Sequence, residues 1–598
     1  MRGFIDPSRR RFLAQAGIGL LAYAGVPAWL RAVEGMGGMG MGGMVTMPKA
    51  APHRASPAFR PDVEIELICR PDTVSILPGP ATRVLRYTGR LIHGPEGTLT
   101  TIPGSYLGPL MRLQTGQKVR IHLRNELSEP TITHWHGLNV PALMDGHPMY
   151  ALDRGETFVY EFEIRNRAGM ILYHPHTHGI TGRQVYQGLA GLILLHDEEE
   201  RALELPAGEY EIPIVIQDRR FDGGNQLVYL RDMHDRMIGF HGDQILINGR
   251  PDARFDVASR AYRLRILNGS NARIYKLAWD DGTPLTVIGV DGGLLEAPVR
   301  KSYVMLGPGE RVEVWADFSD HEPGSELVMR SRPFTGVLPK MAEHMMHGAM
   351  GGMHGRMMED RIPLGSDYPL FTFRVTRAMR DSPKLPTRLS TIRRYRIDDT
   401  ANPDRPVPVG LSEAPMAMLI NGRPYAPNDF LPSERIPFDT LQLIEIFHAH
   451  GNGHGEAGGM GAGQGMRHGM MGGMGGMGRM GHMRRQEGSA MGGMGMGRHG
   501  QMGMMGGMGM MMSMAHPIHF HEEPFQILSR TIGAEGMEGY ATVREGFIDS
   551  GWKDTVLVMP GERVRLIKPF KDYKGVFMVH CHNLEHEDMG MMREFMVE

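Results

Sequence analysis

Four short stretches concentrate the metal-binding side chains of this sequence: His134-Trp135-His136, His174-Pro175-His176-Thr177-His178, His516-Pro517-Ile518-His519-Phe520-His521 and His580-Cys581-His582. Each contains a His-x-His step. On a β-strand, residues i and i+2 project to the same face, so every such step aims two imidazoles at one place. A single histidine is more often a core or surface residue than a ligand, but four paired clusters in one chain point to bound metal. Zinc is disfavoured: structural zinc sites draw four ligands, often several of them cysteines, and this chain has Cys 2 against His 28. Imidazole and thioether donors suit Cu(I) and Cu(II), whereas Ca and Mg would ask for oxygen.

The stretch HCHNLEHEDMGMM, 580–592, divides its donors between two faces. If it enters as a strand, His580 and His582 face one way and Cys581 the other, so Cys581 can serve one metal while its covalent neighbours serve a second site behind it. His586 and Met591 follow on the segment that returns beneath the strand. With His516 they complete a His₂Cys set with an axial Met, the donor set of blue copper.

These clusters need a strand scaffold, and the rest of the chain supplies one. Short runs of alternating apolar residues recur between Gly/Pro turns: KVRIHLRN, FVYEFEI, GLILLHD, EIPIVIQDR, YRLRILNG, RVEVWADF. Long amphipathic helices are missing. The fold predicted is all-β, a series of sandwich modules, and 598 residues are enough for about two to four of them. Three fit, at 62–205, 206–380 and 381–598. GQKVRIHLRN, SRAYRLRILNG and DTLQLIEIF read as the same strand in each. Two tracts interrupt the pattern. One is the Met/His run at 341–358. The other is a Met/Gly/His-rich insert at 448–515, which holds 19 of the 50 Met and six His. Both exceed the ordinary loop length of about 12–15 residues.

Charge and composition exclude several classes. A net charge of −2 and a pI near 7.0 leave no basic footprint for nucleic acid or an anionic membrane. Cys69 and Cys581 could form at most one disulfide, so this is no disulfide scaffold. At the N-terminus, Ser8-Arg9-Arg10-Arg11-Phe12-Leu13 and the apolar residues after it resemble a twin-arginine export signal, taken here as 1–34 and cleaved. An uncleaved anchor is the competing reading, since 12–30 carry no charge and nearly reach spanning length. A Met/Gly linker follows at 35–61, with order expected from Val63. The export route places the protein in the periplasm or outside the cell; no stable membrane insertion is expected, and a monomer is.

The motifs HWHGLNVPALMDG, YHPHTHGITGRQVYQGLAGLI, RLRILNGSNAR, VDGGLLEAP, HPIHFH, GWKDTV and HCHNLEHEDMGMM, together and in this order, resemble the multicopper oxidases, above all the bacterial copper-efflux oxidases. The resemblance runs over nearly the whole chain after residue 62. It implies three cupredoxin-like Greek-key β-sandwich domains and four copper ions. Type 1 copper would take His516, Cys581, His586 and Met591. Type 2 copper would take His134 and His519, and the type 3 pair His136, His174, His176, His521, His580 and His582. His178 matches no ligand position and is read as a neighbour of the site or a surface residue. Asp145 and Glu587 match acidic positions that deliver protons.

The implied reaction is four one-electron oxidations coupled to reduction of O₂ to two waters. An axial Met rather than Leu or Phe suits an easily oxidised donor such as Cu(I) better than resistant phenols. The insert must begin and end near the type 1 His, where thioethers could recruit Cu(I) and release Cu(II). One departure bears on the donor. The acidic residue that copper-efflux oxidases carry four positions before that His is Met512 here, which leaves either a substrate site rebuilt from thioethers or competition by Fe(II) and organic donors. The alternatives are a laccase-like oxidase of phenols and, in another class, a non-catalytic copper-binding or storage protein. Storage would not require the Cys581 link between two sites.

Overall fold

The computed structural model describes residues 47–340, 362–414, 416–449 and 513–598. The export signal, residues 35–46 of the linker, the run at 341–358 and residues 450–512 of the insert, Met512 included, lie outside the described residues.

Six β-sheets pair into three two-layer modules, spanning the strands of 63–196, 211–377 and 407–597. One strand motif recurs in all three. The first strand of each module, Val63–Val74, Glu211–Arg219 or Val407–Ala414, pairs in parallel with Lys118–Asn125, Ala261–Asn268 or Thr440–His448. On its far side each of these parallel partners takes an antiparallel neighbour, Thr157–Glu163, Arg311–Asp317 or Glu562–Phe570. The three parallel partners are the strands that echo one another in the sequence. The chain is therefore all-β, with three cupredoxin-like sandwiches. Among the described residues no helix is long and apolar enough to cross a membrane.

Alternation builds the cores. In Lys118–Asn125, Val119, Ile121 and Leu123 point inward and are fully buried, each worth about 1.5–3 kcal/mol over exposure. Ala261–Asn268 breaks that pattern, because all eight of its residues are buried. Its Arg263 and Arg265 meet Glu200, Glu211 and Glu313 beneath the first module. Arg265 contacts all three carboxylates at 2.9, 2.8 and 3.1 Å, and Arg112 of the first module reaches Glu211 at 2.7 Å. An ion network thus welds the first two modules.

Two segments sit differently from the sequence expectation. Order was expected from Val63, yet residues 47–62 already lie against the first module: Ala50 N donates to Met149 O at 2.8 Å, Val159 N to His53 O at 3.0 Å, and the His53 ring meets Val159 O at 2.7 Å. Backbone exchange with a strand edge is enough to fix a segment that has no periodicity of its own. Leu389 and Ser390, expected in the third module, bond to Glu296, Leu294 and Leu295 of the second; the third module's sheets begin at Val407.

Candidate metal centre

Strand register divides the donors as the His-x-His spacing requires. His516–Phe520 runs antiparallel between Gly575–Cys581 and Thr555–Val558, pairing Ile518 with Cys581 and His519 with His580. His516, Ile518 and Cys581 therefore share the inner face of the third sandwich, while His519 and His580 share the outer one. Facing that outer side, Thr133–His136 pairs with Gly169–Pro175 so that His134 lies opposite His174. The first module thus adds its imidazoles to those of the third.

On the inner face, His516 Nδ1 lies 3.4 Å from Cys581 Sγ and 3.3 Å from His586 Nδ1, and Cys581 Sγ lies 3.8 Å from His586 Nδ1. His586 sits in the short helix Leu584–Asp588, and the chain then turns back: Met591 N donates to His586 O at 2.9 Å and Cys581 N to Met591 O at 3.0 Å. Met591 is fully buried beside the Cys581 strand end. Each ring is fixed by a partner on its other nitrogen. His586 Nε2 donates to Met237 O at 3.1 Å and His516 Nε2 to Glu413 Oε1 at 2.8 Å, which leaves both Nδ1 lone pairs facing the sulfur. Burial takes His586 down to about 3 and pushes the Cys581 thiol well above its ordinary range.

On the outer face eight imidazoles converge between the modules. His134 Nε2 is 3.4 Å from His519 Nε2, and His176 Nε2 is 3.3 Å from His580 Nε2. Donor atoms of His136, His174 and His582 gather within 4.8 Å of one another, as do those of His176, His521 and His580 and those of His134, His519 and His521. His134 Nδ1 donates to Asp145 O at 2.7 Å, His519 Nδ1 to Asp554 O at 2.9 Å and His174 Nδ1 to Pro175 O at 2.8 Å. Asp145 Oδ2 accepts from His521 Nδ1 at 2.7 Å, and Glu587 Oε2 lies 3.1 Å from His580 Nδ1 with Oε1 3.8 Å from His176 Nε2. Burial, reinforced by neighbouring imidazoles, holds His136, His174, His176, His521 and His582 well below the usual histidine range, and burial takes His519 to about 4. Those rings are neutral, with lone pairs available. His178 stands apart, half-buried against Tyr425 at 5.0 Å between ring centroids.

Three partners of these rings escaped the sequence reading. Glu413, on Val407–Ala414, reaches His516 because that strand runs parallel to Thr440–His448, with Leu411 opposite His448. Asp554 lies in the GWKDTV motif, but nothing in its spacing marks it as a partner of His136, which it meets at 3.1 Å. Arg311, from the second module, grips Asp554 with Nη1 at 2.7 Å and with Nη2. Each contact is made across more than a hundred residues, where no local signal exists.

Comparison with known proteins agrees with this geometry. The multicopper oxidase family matches residues 86–200 and 503–598. A protein described as multicopper oxidase mco from Staphylococcus aureus is 26% identical over 495 residues, 83% of each chain. A laccase from Bacillus stratosphericus is 28% identical over 549 residues, 83% of this chain and 90% of its own. The crystal structure of the McoA multicopper oxidase from Aquifex aeolicus superposes with a TM-score of 0.65 at 29% identity, covering 93% of this chain and 99% of that one. The chain belongs to the multicopper oxidases and is an oxidoreductase.

Copper, which that family implies, fits the residues present. Buried His136 Nδ1, His174 Nε2, His176 Nδ1, His521 Nε2 and both His582 nitrogens have no hydrogen-bond partner, a costly arrangement unless the lone pairs are used by a bound ion. Neutral imidazoles together with one cysteine sulfur are the softer donors that copper prefers.

Proposed function

We propose that this chain is a metallo-oxidase that takes single electrons from Cu(I), with Fe(II) as a competing donor, and delivers four of them to dioxygen, which with four protons becomes two waters. In this reading four copper ions are held, type 1 by His516, Cys581, His586 and Met591, type 2 by His134 and His519, and the type 3 pair by His136, His174, His176, His521, His580 and His582. Bound there, copper supplies the one-electron chemistry and the activation of dioxygen. The chain supplies everything else. Cys581 is joined through its own backbone to His580 and His582, so the two donor sets are covalently connected. Asp145 holds the His521 N–H and Glu587 lies 3.1 Å from His580 Nδ1 at the outer set, where protons are needed to make water.

The preference for a metal cation rests on the edge of His516. Glu413 Oε1 accepts from His516 Nε2 at 2.8 Å and from Met514 N at 3.0 Å, and lies 3.8 Å from His448 Nδ1. A buried carboxylate at that edge favours a positively charged donor over a phenol and takes the place of the acid missing at position 512. Ser513 Oγ bonds to His448 Nδ1 at 2.8 Å, so the Met-rich residues 450–512 leave and rejoin the chain at this point. We assign recruitment of Cu(I) to their thioethers. Laccase-like oxidation of phenols is the second reading, favoured by the B. stratosphericus relative. The twin-arginine motif supports export to the periplasm or beyond.

The deciding experiment is steady-state O₂ uptake with Cu(I), Fe(II) and a phenol, for the whole chain and for a deletion of 450–512. Cu(I) should be the preferred donor and should lose efficiency in the deletion. Dominant phenol oxidation with Cu(I) efficiency unaffected by the deletion would reject the assignment.

A further inference from the structure

The rings of the outer donor set are not all held the same way round. His134, His174, His519, His521 and His580 each turn Nδ1 toward a carbonyl or carboxylate, at 2.7, 2.8, 2.9, 2.7 and 3.2 Å respectively, which fixes the proton there and frees Nε2. His136 is reversed. Its Nε2 faces Asp554 Oδ1 at 3.1 Å and Thr555 Oγ1 at 3.0 Å, and its buried Nδ1 is left with no partner. A carboxylate accepts only, so Nε2 carries the proton and Nδ1 the lone pair.

We propose that Arg311 and Asp554 form a clamp that sets the orientation of His136, so that the second module, which contributes none of the metal donors, fixes the geometry of the site between the first and third. This inference rests on the reading of His136 as a metal ligand. All five N–H donors of the Arg311 guanidinium are placed. Nε donates to Met170 O at 3.0 Å, Nη1 to Gly309 O at 3.0 Å and Asp554 Oδ1 at 2.7 Å, and Nη2 to Asp291 O at 3.2 Å and to Asp554 Oδ2. Asp291 closes the frame behind it, accepting Arg311 N at 2.8 Å and contacting Lys553 Nζ at 2.9 Å. Both Asp554 oxygens are engaged by the guanidinium, which fixes the carboxylate as the support of His136.

Thr555 strengthens the hold, donating its hydroxyl to Asp554 Oδ1 at 2.9 Å while its oxygen faces His136 Nε2. His519 stacks on His136 with centroids 3.6 Å apart and planes 13° from parallel, and the Asp554 carbonyl fixes His519 in the opposite tautomer. One residue therefore presents Nδ1 from one ring and Nε2 from its stacked neighbour. The fit is tight on the second module's side as well. Gly309 sits at φ +80, and a Cβ there would come within 3.0 Å of both His136 Cε1 and His582 Cδ2. Three domains meet at the Asp554 carboxylate: Arg311 from the second, His136 from the first, and Asp554 itself from the third.

The test uses copper-loaded full-length protein titrated with a copper chelator, following copper per chain, the blue type 1 absorption and the electron paramagnetic resonance of the outer set. Partners that orient a metal-binding histidine typically contribute 10–100-fold in metal affinity. Asp554→Ala and Arg311→Lys, which keeps the charge but loses the fork, should each release outer-set copper at roughly 10–100-fold lower chelator. Both should alter its resonance signature while the blue absorption titrates as in wild type. A merely structural role would release both kinds of copper together and would overturn the clamp. So would retention of outer-set copper at wild-type chelator concentrations in the two variants. If Asp554→Ala fails to fold, Arg311→Lys alone decides. A wild-type chain that takes up blue copper but none at the outer set would overturn the ligand reading and the clamp with it.

Discussion

Replacing Glu413 by Gln isolates the charge at the His516 edge while keeping the shape of the side chain. The carboxylate is buried among His516, Met514 and His448, with its Oε1 2.8 Å from His516 Nε2 and 3.0 Å from Met514 N. An amide can still accept both hydrogen bonds through its carbonyl oxygen, so the His516 tautomer survives. What is lost is the charge-assisted part of any contact with an approaching cation, about 1.5–3 kcal/mol for a hydrogen bond or ion contact to a charged group. At 1.36 kcal/mol per tenfold in rate, that is roughly a 10- to 150-fold fall in kcat/KM. The fall should be confined to cationic donors. O₂ uptake with Cu(I), Fe(II) and a neutral phenol, each at fixed pH and ionic strength, separates the cases. The ratio of Cu(I) to phenol efficiency should drop by that factor with the blue absorption retained. If both donors slow equally, Glu413 acts only on His516, and if neither slows, the metal-cation reading of this edge is refuted.

Three further outcomes follow from the same geometry. Cys581→Ser should abolish the blue absorption while copper at the outer histidines stays bound, because Cys581 faces away from them; retained colour would reject the donor set. Asp145→Asn loses the carboxylate charge that accepts His521 Nδ1 at 2.7 Å while keeping the backbone carbonyl that holds His134, and should cut turnover roughly 10–100-fold, with the deficit deepening as pH rises and protons become scarce; a pH-independent loss would argue against proton supply. Burial alone would raise the Glu200 carboxyl, but the His196 hydrogen bond and the charges of Arg263 and Arg265 hold it down to about 2, against an ordinary value of 4.5. A depressed folded value stabilises fully above pH 4.5 and is lost as pH falls toward 2, about 3 kcal/mol in all. In metal-free protein, the unfolding midpoint of Glu200→Gln should therefore start lower than wild type and fall less steeply below pH 4.5; parallel slopes would show that the network does not titrate.

The gathering of these rings was legible because strand parity is a local property. His-x-His and His-Cys-His specify which side chains share a face whatever the rest of the chain does, and register then brings His519 beside His580 and His134 opposite His174. The repeated strand was legible for the same reason: Lys118–Asn125, Ala261–Asn268 and Thr440–His448 occupy the same place in three sandwiches. Apart from Asp145, which the family resemblance marks, what holds the rings was not legible. Glu413, Arg311 and Asp554 are ordinary charged residues until the modules assemble, and Arg311 reaches His136 only through a residue 243 positions further along the chain. Residues 47–61 were read as linker because their composition lacks periodicity, although their backbone is bound by Met149 and Val159.

The most direct measurement is the stoichiometry of the reaction itself: Cu(I) oxidised per O₂ consumed by the copper-loaded full-length protein, with peroxide assayed in the same vessel. A four-copper oxidase of this kind should consume one O₂ for every four Cu(I) and accumulate no peroxide. Two Cu(I) per O₂ with peroxide as product, or no uptake with Cu(I) while a phenol is turned over, would contradict it.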